Sequence, residues 1–153
     1  LYAIKKISET RRDFEALIIG KGEAESDIKK YIEEHQLDSI VNVVGEVSHG
    51  ELNTWMNSSD CLCLPSYNEG LPNVVLEAVK CEIHVVATNV GGIPEAIANP
   101  GEHLVEPGDI NHLAAHLNRA LFDPDFDTSP GFDIPSYQQM AEKVYSLSLE
   151  ACR

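Results

Sequence analysis

The stretch LPSYNEGLPNVVLEA, Leu64 to Ala78, decides the fold. It packs an apolar strand end, two prolines, a glycine and two glutamates into fifteen positions. The preceding CLCL, Cys61 to Leu64, reads as a buried strand. The prolines and Gly70 end it in a tight loop carrying Glu69, and a helix follows from Pro72 to about Cys81. Pro72 suits the first helical position, where its missing N–H costs nothing. Strand, tight glycine-bearing turn and helix form the unit.

Working outward, the unit recurs as architecture without repeating as sequence. The chain opens on a helical pattern, Leu1, Ile4 and Ile7, with Lys5, Lys6 and Glu9 between them. ALIIG predicts a strand ending at Gly20, and GKGEAESDIKKYIEEHQL a glycine turn feeding an amphipathic helix. IVNVV is a further strand, and Ser48 with Glu51 form a capping box at the start of a helix carrying Leu52 and Trp55. Downstream, HVVA is a strand, GGIPEAI a glycine turn with a short helix, and HLV a fifth strand. Asp109 caps a helix through Leu121. Residues 122–136, rich in Asp, Pro, Ser and Gly, read as an exposed connection, and a last helix over 137–153 follows with Ser136 and Gln139 as its capping box. Strands alternating with helices predict a doubly wound, mainly parallel α/β fold of Rossmann type over residues 1–121.

Composition narrows the function classes. A chain of 153 residues, 43% hydrophobic, makes about one domain. Its net charge of −14 argues against duplex nucleic acid or an anionic membrane as the main partner. No apolar run approaches the ~20 residues that span a bilayer, which points to a cytoplasmic setting. Cys61, Cys63, Cys81 and Cys152 form no CxxC pair and read as reduced, mostly buried thiols, with Cys61 and Cys63 on one strand face. His112 and His116, four apart on a helix, lack a third ligand in sequence reach, and an exposed helical pair is the ordinary explanation.

In open parallel sheets ligands bind beyond the carboxyl ends of the strands, so the loops after Ile19, Val44, Leu64 and Ala87 are the candidate site. These are the glycine-bearing loops, where backbone can approach a ligand closely. Gly20-Lys21-Gly22 is not the full GxGxxG, and no acidic residue closes the next strand, so a dinucleotide site is disfavoured. Lys21 has reach for a phosphate, but the ordinary reading is a solvated turn residue. Gly70, Leu71, Asn73 and Val74 surround a helix start, where unpaired N–H groups and the helix dipole favour an anion such as a diphosphate. Glu69, ahead of that helix, accepts hydrogen bonds and suits sugar hydroxyls, and Glu77 lies far enough along it to meet a second polyol group. The same two glutamates are also read as a dipole-favoured residue and a solvated one. His49 lies in a ligand-side loop, where a helix-start residue is commonly incidental.

LIIGKGE, VVGEVSHGEL, SSDCLCLPSYNEGLPNVVLEAVKC and VVATNVGGIPEAI, in this order, resemble the carboxyl-terminal, donor-binding domain of retaining glycosyltransferases of the GT-B fold, family 4 type. The third segment is the specific one, with the family's two glutamates eight positions apart. The resemblance implies the C-terminal half of such an enzyme, lacking its first strand and the N-terminal acceptor-binding domain. It implies that Glu69 binds donor-sugar hydroxyls and carries catalysis, that Glu77 holds the ribose, and that the backbone around Gly70, Leu71, Asn73 and Val74 cradles the diphosphate. Gly20, Lys21 and the loop near Val47 are similar to the parts that approach phosphates and base. The donor implied is a UDP- or GDP-sugar, with no cofactor and no bound metal. The Arg and Lys usually supplied to the diphosphate come from a segment upstream of the first helix, and any membrane association would lie in the missing half.

Two departures stand out. Cys81-Glu82-Ile83-His84 replaces the family's Cys-Gly-x-Pro, which predicts an altered turn, and Ser136-Tyr137 stands where a tryptophan is usual. A GT-B nucleotide-sugar epimerase and a non-catalytic binding module on the same fold stay open as alternatives to the transferase.

Overall fold

The computed structural model describes residues 1–97 and 104–126. In chain order it contains α1 (Tyr2–Ser8), β1 (Ala16–Ile19), α2 (Glu25–Glu34), β2 (Val41–Gly45), α3 (His49–Asn57), β3 (Cys61–Leu64), α4 (Asn73–Lys80), β4 (His84–Thr88), α5 (Ile93–Ala96), β5 (Leu104–Val105) and α6 (Ile110–Phe122). The pairings are parallel: β1 with β2, β3 with β4, and β4 with β5.

The strands lie in two sheets, β1-β2 and β3-β4-β5.

Strand alternation distributes the core between two layers. Leu62 and Leu64 of β3, with Val85 and Ala87 of β4, pack against Val75, Ala78 and Val79 of α4 and Ile93 and Ala96 of α5. Cys61 and Val86 face the other way, onto Ala3 and Ile7 of α1 and Ala114, Leu117 and Ala120 of α6. Ala16, Ile18, Val41 and Val43 pack with Ile28 and Ile32 of α2 and Ile4 of α1. Helices thus cover both faces of the β3-β4-β5 sheet, as strands that are apolar on both sides require.

Local expectations hold at several ends and fail at others. Ser48 caps α3 reciprocally with Glu51, whose carboxyl is held below its usual range chiefly by the Ser48 hydroxyl. Asp109 accepts from the His112 N–H at the start of α6, which runs to Phe122 rather than Leu121. Pro72 is the N-cap of α4 and not its first helical residue, because its ψ of 123° is extended. The turn after α4 keeps the left-handed residue that a glycine favours. Glu82 itself adopts the left-handed conformation, φ +57°, and the Glu82 and Ile83 N–H groups bond the Val79 and Ala78 carbonyls.

At the start of the 122–136 connection Pro124 and Asp125 are exposed, whereas Phe126 is buried, packed at 5.3 Å against the His84 ring. The cysteines are also less buried than expected. Cys61 and Cys81 are half-buried and Cys63 is exposed; all three are free. His103, Cys152, the Ser136–Gln139 box and the helix expected over 137–153 lie outside the described residues.

Candidate functional site

Because the strands run parallel, their carboxyl ends share one rim. At the first pair, the Gly20 N–H donates to the Gly45 carbonyl at 2.8 Å, with the register shifting between Ile18 and Ile19. Gly20 (φ +132°) and Gly45 (φ +85°) hold backbone conformations that favour glycine. Past them, Lys21 Nζ lies 3.8 Å from Glu46 Oε2, both side chains about three-quarters exposed, and Val47 is half-buried in the loop leading to α3.

The second pair of loops is joined more closely. The Thr88 hydroxyl, at the end of β4, donates to the Ser66 carbonyl at 2.5 Å, and the Ser66 hydroxyl donates to Glu69 Oε1 at 2.7 Å. The Gly92 N–H donates to the Gly70 carbonyl at 2.6 Å. Gly91, at φ +55°, tolerates no side chain: a Cβ there would lie 2.0 Å from the Glu69 carbonyl oxygen. Glu69 is half-buried, flanked by exposed Tyr67 and Leu71.

The start of α4 differs from those of α3 and α6. Pro72 has no N–H, and no side chain caps the helix. Asn73 and Val74 stand in its first turn, with Asn73 exposed. An uncapped helix start of this kind favours an anion. A turn further on, Glu77 is about one-fifth exposed, and His49 Nε2 from the start of α3 lies 3.7 Å from its Oε1. That contact connects the loop after β2 with α4. Glu69 and Glu77 therefore stand on either side of an uncapped helix start, and Gly20, Lys21 and Val47 occupy the neighbouring loops.

Sequence reasoning missed Ser66, Thr88 and Gly91, and read His49 as incidental. Ser66 is three residues before Glu69, a spacing at which a hydroxyl reaches a carboxylate; Thr88 carries no such local signal. On α6, His112 Nδ1 lies 3.3 Å from Asp109 Oδ2, and His116 Nδ1 meets the His112 carbonyl at 2.9 Å. Among the described residues no group of three or more His, Cys, Asp or Glu side chains is placed to hold a metal, and no helix is long and apolar enough to cross a membrane.

The family model for glycosyl transferases group 1 matches residues 1–146. The chain belongs to that family. It is 28% identical over 142 residues to the phosphatidylinositol N-acetylglucosaminyltransferase GPI3 subunit of Saccharomyces cerevisiae, covering 93% of this chain and 31% of that protein. The chain thus spans about a third of that relative's length. The fold matches the C-terminal domain of a glycosyl transferase group 1 protein, LpcC of Francisella tularensis, with a TM-score of 0.71 at 21% identity, covering 94% of this chain and 76% of that one. It also matches Anabaena HepE in complex with UDP, with a TM-score of 0.76 at 23% identity, covering 95% of this chain and 44% of that one. The parallel α/β architecture is that of the C-terminal domain of GT-B glycosyltransferases.

Proposed function

We propose that this chain is the donor-binding part of a retaining glycosyltransferase and binds a nucleoside diphosphate sugar, with UDP or GDP as the nucleotide. The observation that carries the reading is the uncapped start of α4 with Glu69 ahead of it and Glu77 a turn inside it, in a chain whose family is glycosyl transferases group 1. A structural relative holding UDP supports the nucleotide class.

Each group has work suited to its chemistry. Glu69, an acceptor while ionised, takes hydroxyl hydrogens of the sugar, and Glu77 those of the ribose. The α4 amides meet the diphosphate between them. As the bond from the anomeric carbon to the diphosphate oxygen breaks, negative charge grows on the leaving group, and donors already oriented there stabilise it; one such donor contributes roughly a hundredfold to a thousandfold in rate. We place the acceptor site in the N-terminal domain of the parent protein, so that the chain alone binds donor without transferring a hexosyl group to a glycan, lipid-linked or small-molecule acceptor. The proposed transfer needs no divalent metal and takes place in the cytoplasm.

Calorimetric titration with UDP, GDP and ADP, each with and without a sugar attached, tests the reading. Binding of one nucleotide, weakened in Glu77→Ala and unchanged by EDTA, is expected. A folded chain that binds none of them up to several millimolar, even with the upstream segment restored, overturns it in favour of a non-catalytic module.

A further inference from the structure

We propose that Ser66 and Thr88 are positioning residues that set the Glu69 carboxylate for the sugar end of the donor, an inference that rests on the donor-binding reading above. Thr88 is 2% exposed, and its hydroxyl has one proton to give. That proton goes to the Ser66 carbonyl at 2.5 Å rather than to the Leu64 carbonyl at 3.4 Å. The β3–β4 ladder ends at the Leu64–Ala87 pair, so the Thr88 bond carries the connection between these strands past their last paired residues and into the loop.

From that anchored residue the Ser66 hydroxyl engages one oxygen of Glu69 at 2.7 Å, which leaves the other oxygen to accept from a ligand. The backbone around the same glutamate is confined as well, by Gly91 against its carbonyl and by the Gly92–Gly70 hydrogen bond. The Ser66 hydroxyl satisfies no loop carbonyl with this bond. Its partner is the carboxylate, so removing it acts on the orientation of Glu69 before it acts on the fold. A donor in which only the sugar reads Glu69 therefore separates from a nucleotide that lacks the sugar.

The test uses the full chain and four variants, Ser66→Ala, Ser66→Thr, Thr88→Val and Thr88→Ser. Three-bond NMR couplings about the Glu69 side chain are measured without ligand, and affinities for UDP and UDP-glucose, and for GDP and GDP-mannose, by calorimetry. Ser66→Ala and Thr88→Val are expected to average the Glu69 rotamers and to weaken the sugar-bearing member of the pair that binds by roughly fivefold to tenfold, leaving the bare nucleotide within about twofold. Ser66→Thr and Thr88→Ser restore both. Glu69 couplings unchanged in Ser66→Ala and Thr88→Val overturn the positioning role whatever the ligand results. Altered couplings in a chain whose wild type binds nucleotide and nucleotide-sugar equally show that Ser66 and Thr88 position Glu69, and overturn the sugar end as what it is positioned for.

Discussion

The loops after β1 and β2 meet through the Gly20–Gly45 hydrogen bond and an exposed Lys21–Glu46 pair, with nothing within 4 Å of where either glycine's Cβ would stand. The loops after β3 and β4 meet through Thr88, Ser66 and Glu69, through Gly92 and Gly70, and through a contact at Gly91 too close for any side chain. The first pair is open and the second is set. In the proposed reading, the second pair holds Glu69 in place for the sugar and the first leaves room for the nucleotide side to close on its ligand.

The largest test of that contrast is Gly91→Ala. Its methyl would enter the Glu69 carbonyl in a left-handed backbone, and urea unfolding is expected to show a loss of about 2–3 kcal/mol, against about 1 kcal/mol for Gly45→Ala, where the backbone is left-handed but the space is open. Equal losses would erase the difference between the two loop pairs. Glu77→Ala is expected to weaken nucleotide binding by about 1.5–3 kcal/mol, the range for a hydrogen bond to a charged group; calorimetry that finds no change would remove Glu77 from the site.

Smaller effects sharpen the comparison. Glu82→Gly relieves a left-handed glutamate at the end of α4 and is expected to raise stability by about 1 kcal/mol in the same unfolding assay. A neutral or destabilising result would mean that the glutamate side chain contributes there. Lys21→Ala removes an exposed ion pair and is expected to change stability by less than about 0.5 kcal/mol. A larger drop in stability would show the first loop pair to be as firmly set as the second, and a drop in nucleotide affinity beyond about twofold would put Lys21 on the phosphates.

Much of this was legible in the sequence where the deciding forces are local. Apolar runs of four or five residues marked β1 to β4, and the Ser48-x-x-Glu51 spacing marked a cap that formed as read. The helix start after Gly70 was visible too, though Pro72 proved to be its cap. The turn at Glu82 was not legible, because composition alone suggests that losing a glycine deforms it. The packing of Ile83 and α4 into the core holds the Glu82 backbone where glycine would otherwise sit.

Sequence by itself determined the alternation of strand and helix, the apolar core positions of the strands and the identity of the glutamates before and within α4, because periodicity, capping and turn chemistry act over a few neighbouring residues. Tertiary structure alone decided that the strands lie in two sheets, that Thr88 reaches Ser66 across 22 positions and that His49 stands beside Glu77. Those contacts join residues remote along the chain, whose meeting depends on how whole elements pack and not on any pattern within one of them.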